Sequence, residues 1–153
     1  PPSIEQIKKE GMCCVGLTNL MRRYMNLQVP GHITNEVNNL NFIGGTENWF
    51  SYLKNQNRLK EIDYTEKVPV GTLLLQNYND IDQGHVAVII ESSEKGLLES
   101  KKIHAIMHSS IELNENEELI NKYNQVVEEK FKDYLFYKRY TDICYPEDWL
   151  LKN

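Results

Sequence analysis

A thiol early in the chain and imidazoles later in it are the parts of a nucleophilic centre. Here they are Cys14, His85 and a third member that is either His108 or His104. In such a centre the thiolate attacks a carbonyl carbon, and one imidazole takes the thiol proton and returns it to the leaving group. The third residue holds that imidazole in one tautomer. Cys14 stands in Gly11-Met12-Cys13-Cys14-Val15-Gly16-Leu17-Thr18-Asn19-Leu20, where a turn passes into a run with Leu17, Leu20, Met21, Tyr24 and Met25 at helical spacing and Asn19, Arg22 and Arg23 on the other face. The unpaired N–H groups and positive dipole end of a helix start favour an anion, so a thiolate forms there more readily than at an ordinary cysteine. The bland reading is that Cys14, like most cysteines, is a small buried hydrophobe. His32, after the turn-forming Pro30-Gly31 pair, has no partner motif beside it and reads as an exposed loop histidine.

The elements that must position these residues are legible to different degrees. Ser3 followed by Gln6 has the form of a capping box, so residues 4–10 are expected to make a short helix ended by Gly11. Residues 28–43 read mostly as loop. Thr46 is expected to cap a second helix that buries Trp49, Phe50 and Leu53. Pro69-Val70-Gly71 is a turn feeding a buried strand through Leu73, Leu74 and Leu75. After a polar loop, His85-Val86-Ala87-Val88-Ile89-Ile90-Glu91 is a second strand. Two such strands with a polar connection predict a sheet with one wet end.

Two registers compete for the strand that follows. If the turn Ser93-Glu94-Lys95-Gly96 sets the pairing, His85 falls opposite His104. If apolar faces set it, Val86, Val88 and Ile90 meet Met107, Ala105 and Ile103, and His85 falls opposite His108. The second is preferred because the first sets Lys101 and Lys102 against Val88 and Ala87. Beyond it, Leu119, Ile120, Tyr123, Val126, Val127 and Phe131 at 3.6-residue spacing predict an amphipathic helix over 114–132. Tyr134 to Tyr140 is aromatic and strand-like, and Pro146 opens a last turn that docks Trp149.

Taken in order, Cys-x-Gly-Leu-x-Asn at Cys14 to Asn19, Pro-x-Gly-x-Leu at Pro69 to Leu73, and Gly-His-Val-Ala-Val at Gly84 to Val88 resemble the NlpC family of papain-like cysteine peptidases. The likeness runs from residue 11 to about 112. It implies a papain-like α+β fold, with a nucleophile helix packed on a small antiparallel sheet. It also implies Cys14 as nucleophile, His85 as base and His108 or His104 as the third member. Where the family carries an acidic residue before the nucleophile this chain has Cys13, and the family's upstream tyrosine has no counterpart in residues 1–12. The expected activity is hydrolysis of an amide bond in a peptide. An acyltransferase or thioesterase using the same residues on an acyl substrate, and a non-catalytic interaction module, are the alternatives.

Composition narrows the classes. A chain of 153 residues with 41% hydrophobic and 25% charged residues reads as one globular domain spanning 1–153. A net charge of −5 offers no basic stripe, so nucleic acid is not an expected partner. No apolar run reaches the length of a bilayer span, and Pro1-Pro2-Ser3-Ile4-Glu5 lacks the basic flank and apolar core of a secretory signal. Three cysteines, two of them adjacent, do not make a disulfide framework, which points to a reducing, cytoplasmic setting. Cys13, Cys14, His85, His104, His108 and Cys144 are able zinc ligands, but their spacing does not fit a site, and neither metal nor cofactor is expected.

Overall fold

The computed structural model describes residues 14–30, 45–77, 84–105, 112–113, 119–120, 126–133 and 137–150. Over these the chain is a mixed α+β protein with a small antiparallel sheet and few helices. The helices are α1 (Cys14–Tyr24), α2 (Thr46–Asn55) and the single turn α3 (Pro146–Trp149). The strands are β1 (Lys60–Glu61), β2 (Leu73–Gln76), β3 (His85–Glu91), β4 (Lys101–Ala105), β5 (Glu112–Leu113), β6 (Leu119–Ile120), β7 (Val126–Lys130) and β8 (Asp142–Cys144). Six of them form one sheet in the order β1-β8-β2-β3-β4-β7, while β5 pairs with β6.

The uninterrupted apolar runs of β2 and β3 follow from burial on both faces of the sheet. On one face Leu73, Leu75, Val86, Val88 and Cys144 pack with Trp49 and Leu53 of α2 and Trp149 of α3. Cys14, Val15 and Met21 of α1 join that cluster, and α1 lies across β3 and β4. On the other face Leu74, Ala87, Ile89 and Ile143 pack with Val68, Leu97, Phe131 and Tyr140. The period-two alternation of a strand explains the split, since Leu73 and Leu75 point one way and Leu74 the other.

Glycine is required where β3 begins. Gly84 has φ +75°, and a Cβ there would lie 2.5 Å from the Gln76 carbonyl oxygen. This close approach sets the pairing of Leu75 with Val86 and of Gln76 with His85. Thr46, expected as a cap, is instead the first helical residue of α2, with Gly45 at the cap position.

The β3 and β4 strands pair in neither anticipated register. Val88 meets Ile103 and Ile89 meets Lys102, midway between the two, with a shift between Ile89 and Glu91 that absorbs an extra residue. The expected helix over 114–132 is also corrected. Residues 119–120 and 126–130 are strands, and Phe131–Asp133 is a single 3-10 turn. The helical spacing is present, but β-branched Val126 and Val127 lie beside β4, where a full ladder with Ala105 and His104 is available. Tyr137–Arg139 forms another 3-10 turn, and the strand of this region is β8, inserted between β1 and β2. The expected helix over 4–10 and residues 134–136 lie outside the described residues. No described helix is long and apolar enough to cross a membrane.

Candidate active site

Cys14 is the first residue of α1, an 11-residue helix with no acidic side chain in its first turn and Arg22 and Arg23 in its last. Both features suit the helix dipole. Cys14 is half-buried, whereas Cys144 is buried in the core. Burial pushes the Cys144 thiol up to about 12, so it remains protonated and inert at neutral pH.

The seat of α1 is set by buried polar side chains as well as apolar ones. Asn19, 5% exposed, accepts a 2.7 Å hydrogen bond at Oδ1 from Trp49 Nε1 of α2. Arg22 is fully buried and donates from Nη1 to the Trp149 carbonyl and from Nε to the Gln28 carbonyl at 2.6 Å. Its guanidinium lies over the rings of Trp49 and Tyr52, and burial draws its pKa below the ordinary value. Trp149 Nε1 in turn donates to the Gly71 carbonyl at 2.7 Å, ahead of β2.

His85 opens β3, but its ring belongs to the opposite face. Its cross-strand neighbour is Gln76, and its centroid lies 5.9 Å from that of Tyr140, which packs with Leu74, Ala87 and Ile89. Burial, and then the charge of Lys102, lower its pKa to about 3, so the imidazole is neutral across the physiological range. The structure thus sets Cys14 in the cluster on the helix face of β3 and the His85 ring among the aromatic residues on the other.

Among the remaining candidates, His104 lies in β4 with its backbone paired to Val127. Cys13, His32 and His108 lie outside the described residues. Among the described residues no three His, Cys, Asp or Glu side chains converge as metal ligands would.

Sequence reasoning missed Lys102. It is fully buried opposite Ile89, with Nζ 5.2 Å from the centroid of Phe131 and 5.0 Å from that of Tyr140. Burial lowers its pKa to about 7, against a smaller opposing pull from Glu129. Lysine at an inward strand position reads as evidence against a register, and the rings of Phe131 and Tyr140 that make it tolerable come from distant segments. Gln76 was missed for the same reason, since only the register places it beside His85. No protein-family model matches the chain, and no curated protein or solved structure matches it.

Proposed function

We propose that this chain is a cysteine hydrolase with a papain-like arrangement of the NlpC type, cleaving an amide bond in a peptide, with Cys14 as nucleophile. The observation that carries the reading is the position of Cys14, half-buried at the first residue of a helix seated on β4 and on β3, the strand that His85 opens. The neutral His85 imidazole takes the thiol proton as the sulfur attacks the carbonyl carbon, and returns that proton to the departing amine, leaving a thioester. Water then gives a proton to the imidazole and attacks the thioester, releasing a carboxylate and the thiol. Fixed N–H groups at the start of α1 suit a developing negative charge. The reading makes one demand: the His85 imidazole, buried near Tyr140 on the face away from α1, has to reach the helix face.

A second reading, a non-catalytic binding module, is favoured by the placement of the His85 ring. It packs near Tyr140, on the face away from α1, and burial keeps it neutral. The two are separated by offering the protein a peptide activated ester, quenching with acid and mapping the adduct by mass spectrometry. The hydrolase reading expects a transient acyl group on Cys14. An adduct on Cys13 or Cys144 instead, or none, contradicts it.

A further inference from the structure

The polar groups that seat α1 do more than hold a helix against a sheet. Apolar packing is non-directional and tolerates a helix that slides or rotates by a fraction of a turn, whereas a buried hydrogen bond holds one register. Asn19 and Arg22 lie three residues apart, on one face of α1, and reach two different tryptophans. Trp49 and Trp149 meet edge to face, with centroids 5.8 Å apart, and Trp149 is bonded to the Gly71 carbonyl. A continuous path therefore runs from the turn before β2 through Trp149 and Arg22 to α1, and a parallel one runs from Trp49 through Asn19. Both tryptophans, Asn19 and Arg22 are buried, so these bonds face little competition from water. Cys14 is five residues from Asn19 on the same rigid helix, and any slip of the latch moves its sulfur.

We propose that the Trp49–Asn19 and Arg22–Trp149 bonds are a positioning latch for Cys14, fixing the depth and rotation of α1 so that its sulfur sits where the thiolate is stabilised. This rests on the reading of Cys14 as nucleophile. Asn19, Arg22 and Trp49 are positioning residues and touch no substrate.

A merely structural role and a positioning role separate in a double variant. Asn19→Leu alone leaves the Trp49 indole N–H buried without its acceptor, and Trp49→Phe alone leaves the Asn19 amide short of a donor, so each single change destabilises the fold. Asn19→Leu with Trp49→Phe removes both ends of this bond, so the indole N–H is no longer stranded and part of the lost stability returns, but the directional bond does not. The readout is the pH profile of iodoacetamide alkylation at Cys14, mapped by mass spectrometry, beside urea unfolding of the same proteins. The expected result is a double variant more stable than Asn19→Leu alone whose Cys14 alkylates about tenfold more slowly than the wild type below neutral pH, in line with the cost of small misplacements elsewhere. Should the double variant fail to fold, Trp49→Phe alone, which keeps an aromatic ring, is expected to show the same slowing. Cys14 reactivity that recovers along with stability, or that is unchanged in Trp49→Phe, overturns the latch while leaving the nucleophile reading intact. A wild-type Cys14 no more reactive than glutathione overturns both.

Discussion

The two faces of the sheet set their buried polar groups in different surroundings. On the helix face Asn19 and Arg22 are satisfied by directional hydrogen bonds to Trp49, Trp149 and Gln28. On the other, Lys102 and His85 lie against the rings of Phe131 and Tyr140, and burial moves both toward their neutral forms. Hydrogen bonds specify a geometry, while rings and a displaced pKa accept a range of them. The difference teaches what a substitution removes in each layer: a directional bond beside Cys14, and a displaced charge beside the rings.

The largest expected effect is on chemistry. Cys14→Ser should remove the acyl adduct and lower any hydrolysis by about 10⁴-fold or more, as loss of a nucleophile does elsewhere. Retained turnover in that variant would move the site off the helix face. Next comes packing. Trp149→Ala should cost about 3–5 kcal/mol by urea unfolding, from the cavity and the lost bond to Gly71. Phe131→Leu on the ring face should cost less, because a large apolar side chain remains. The reverse ranking would make the ring face the better ordered one.

The pH dependence sharpens the same contrast. His85 has a folded pKa of about 3 against an ordinary value of 6.5, so below pH 6.5 the unfolded chain binds more protons and stability falls as pH drops toward 3. Lys102, at about 7 against 10.5, makes stability rise with pH between those two values. Each pH unit that separates a folded pKa from its unfolded value corresponds to about 1.4 kcal/mol, so either group alone gives a measurable slope. Urea unfolding at a series of pH values checks the sign, and greater stability at pH 4 than at pH 9 would contradict it. The smallest effect belongs to Lys102→Met, which keeps most of the side-chain length. It should leave stability at pH 7 within about 1 kcal/mol, or raise it, and remove the slope between pH 7 and 10.5. A large loss in that variant would show that the ammonium group is itself a structural contact.

Part of this architecture is visible in the amino-acid order. Leu73 to Leu75 and His85 to Glu91 read as strands because burial on both faces leaves long apolar runs, and α2 and α3 were legible from Trp49, Leu53, Pro146 and Trp149. The place of α1 and Cys14 along the chain was legible too, but not the face the helix buries: the spacing of Leu17, Leu20, Met21, Tyr24 and Met25 put Asn19 and Arg22 on the outer side, whereas those two are buried by their bonds to the tryptophans and Tyr24 and Met25 are exposed. The register of β3 with β4 was not, since it depends on Lys102 finding rings supplied by distant segments. Nor was β7, where neighbouring backbone outweighed the spacing, or β8, whose three residues are too few to show a period. The side of the sheet taken by the His85 ring follows from strand alternation together with the face α1 chooses, and only the fold supplies the second.

The most direct test of the Cys14–His85 pairing is the pH profile of Cys14 alkylation in the wild type and in His85→Ala. If the two residues work together, the wild-type thiol reacts as a thiolate at least one pH unit below the ordinary cysteine value of about 8.5, and His85→Ala returns it toward that value. Coincident profiles in the two proteins would show that the residues stay on opposite faces of β3 and act apart.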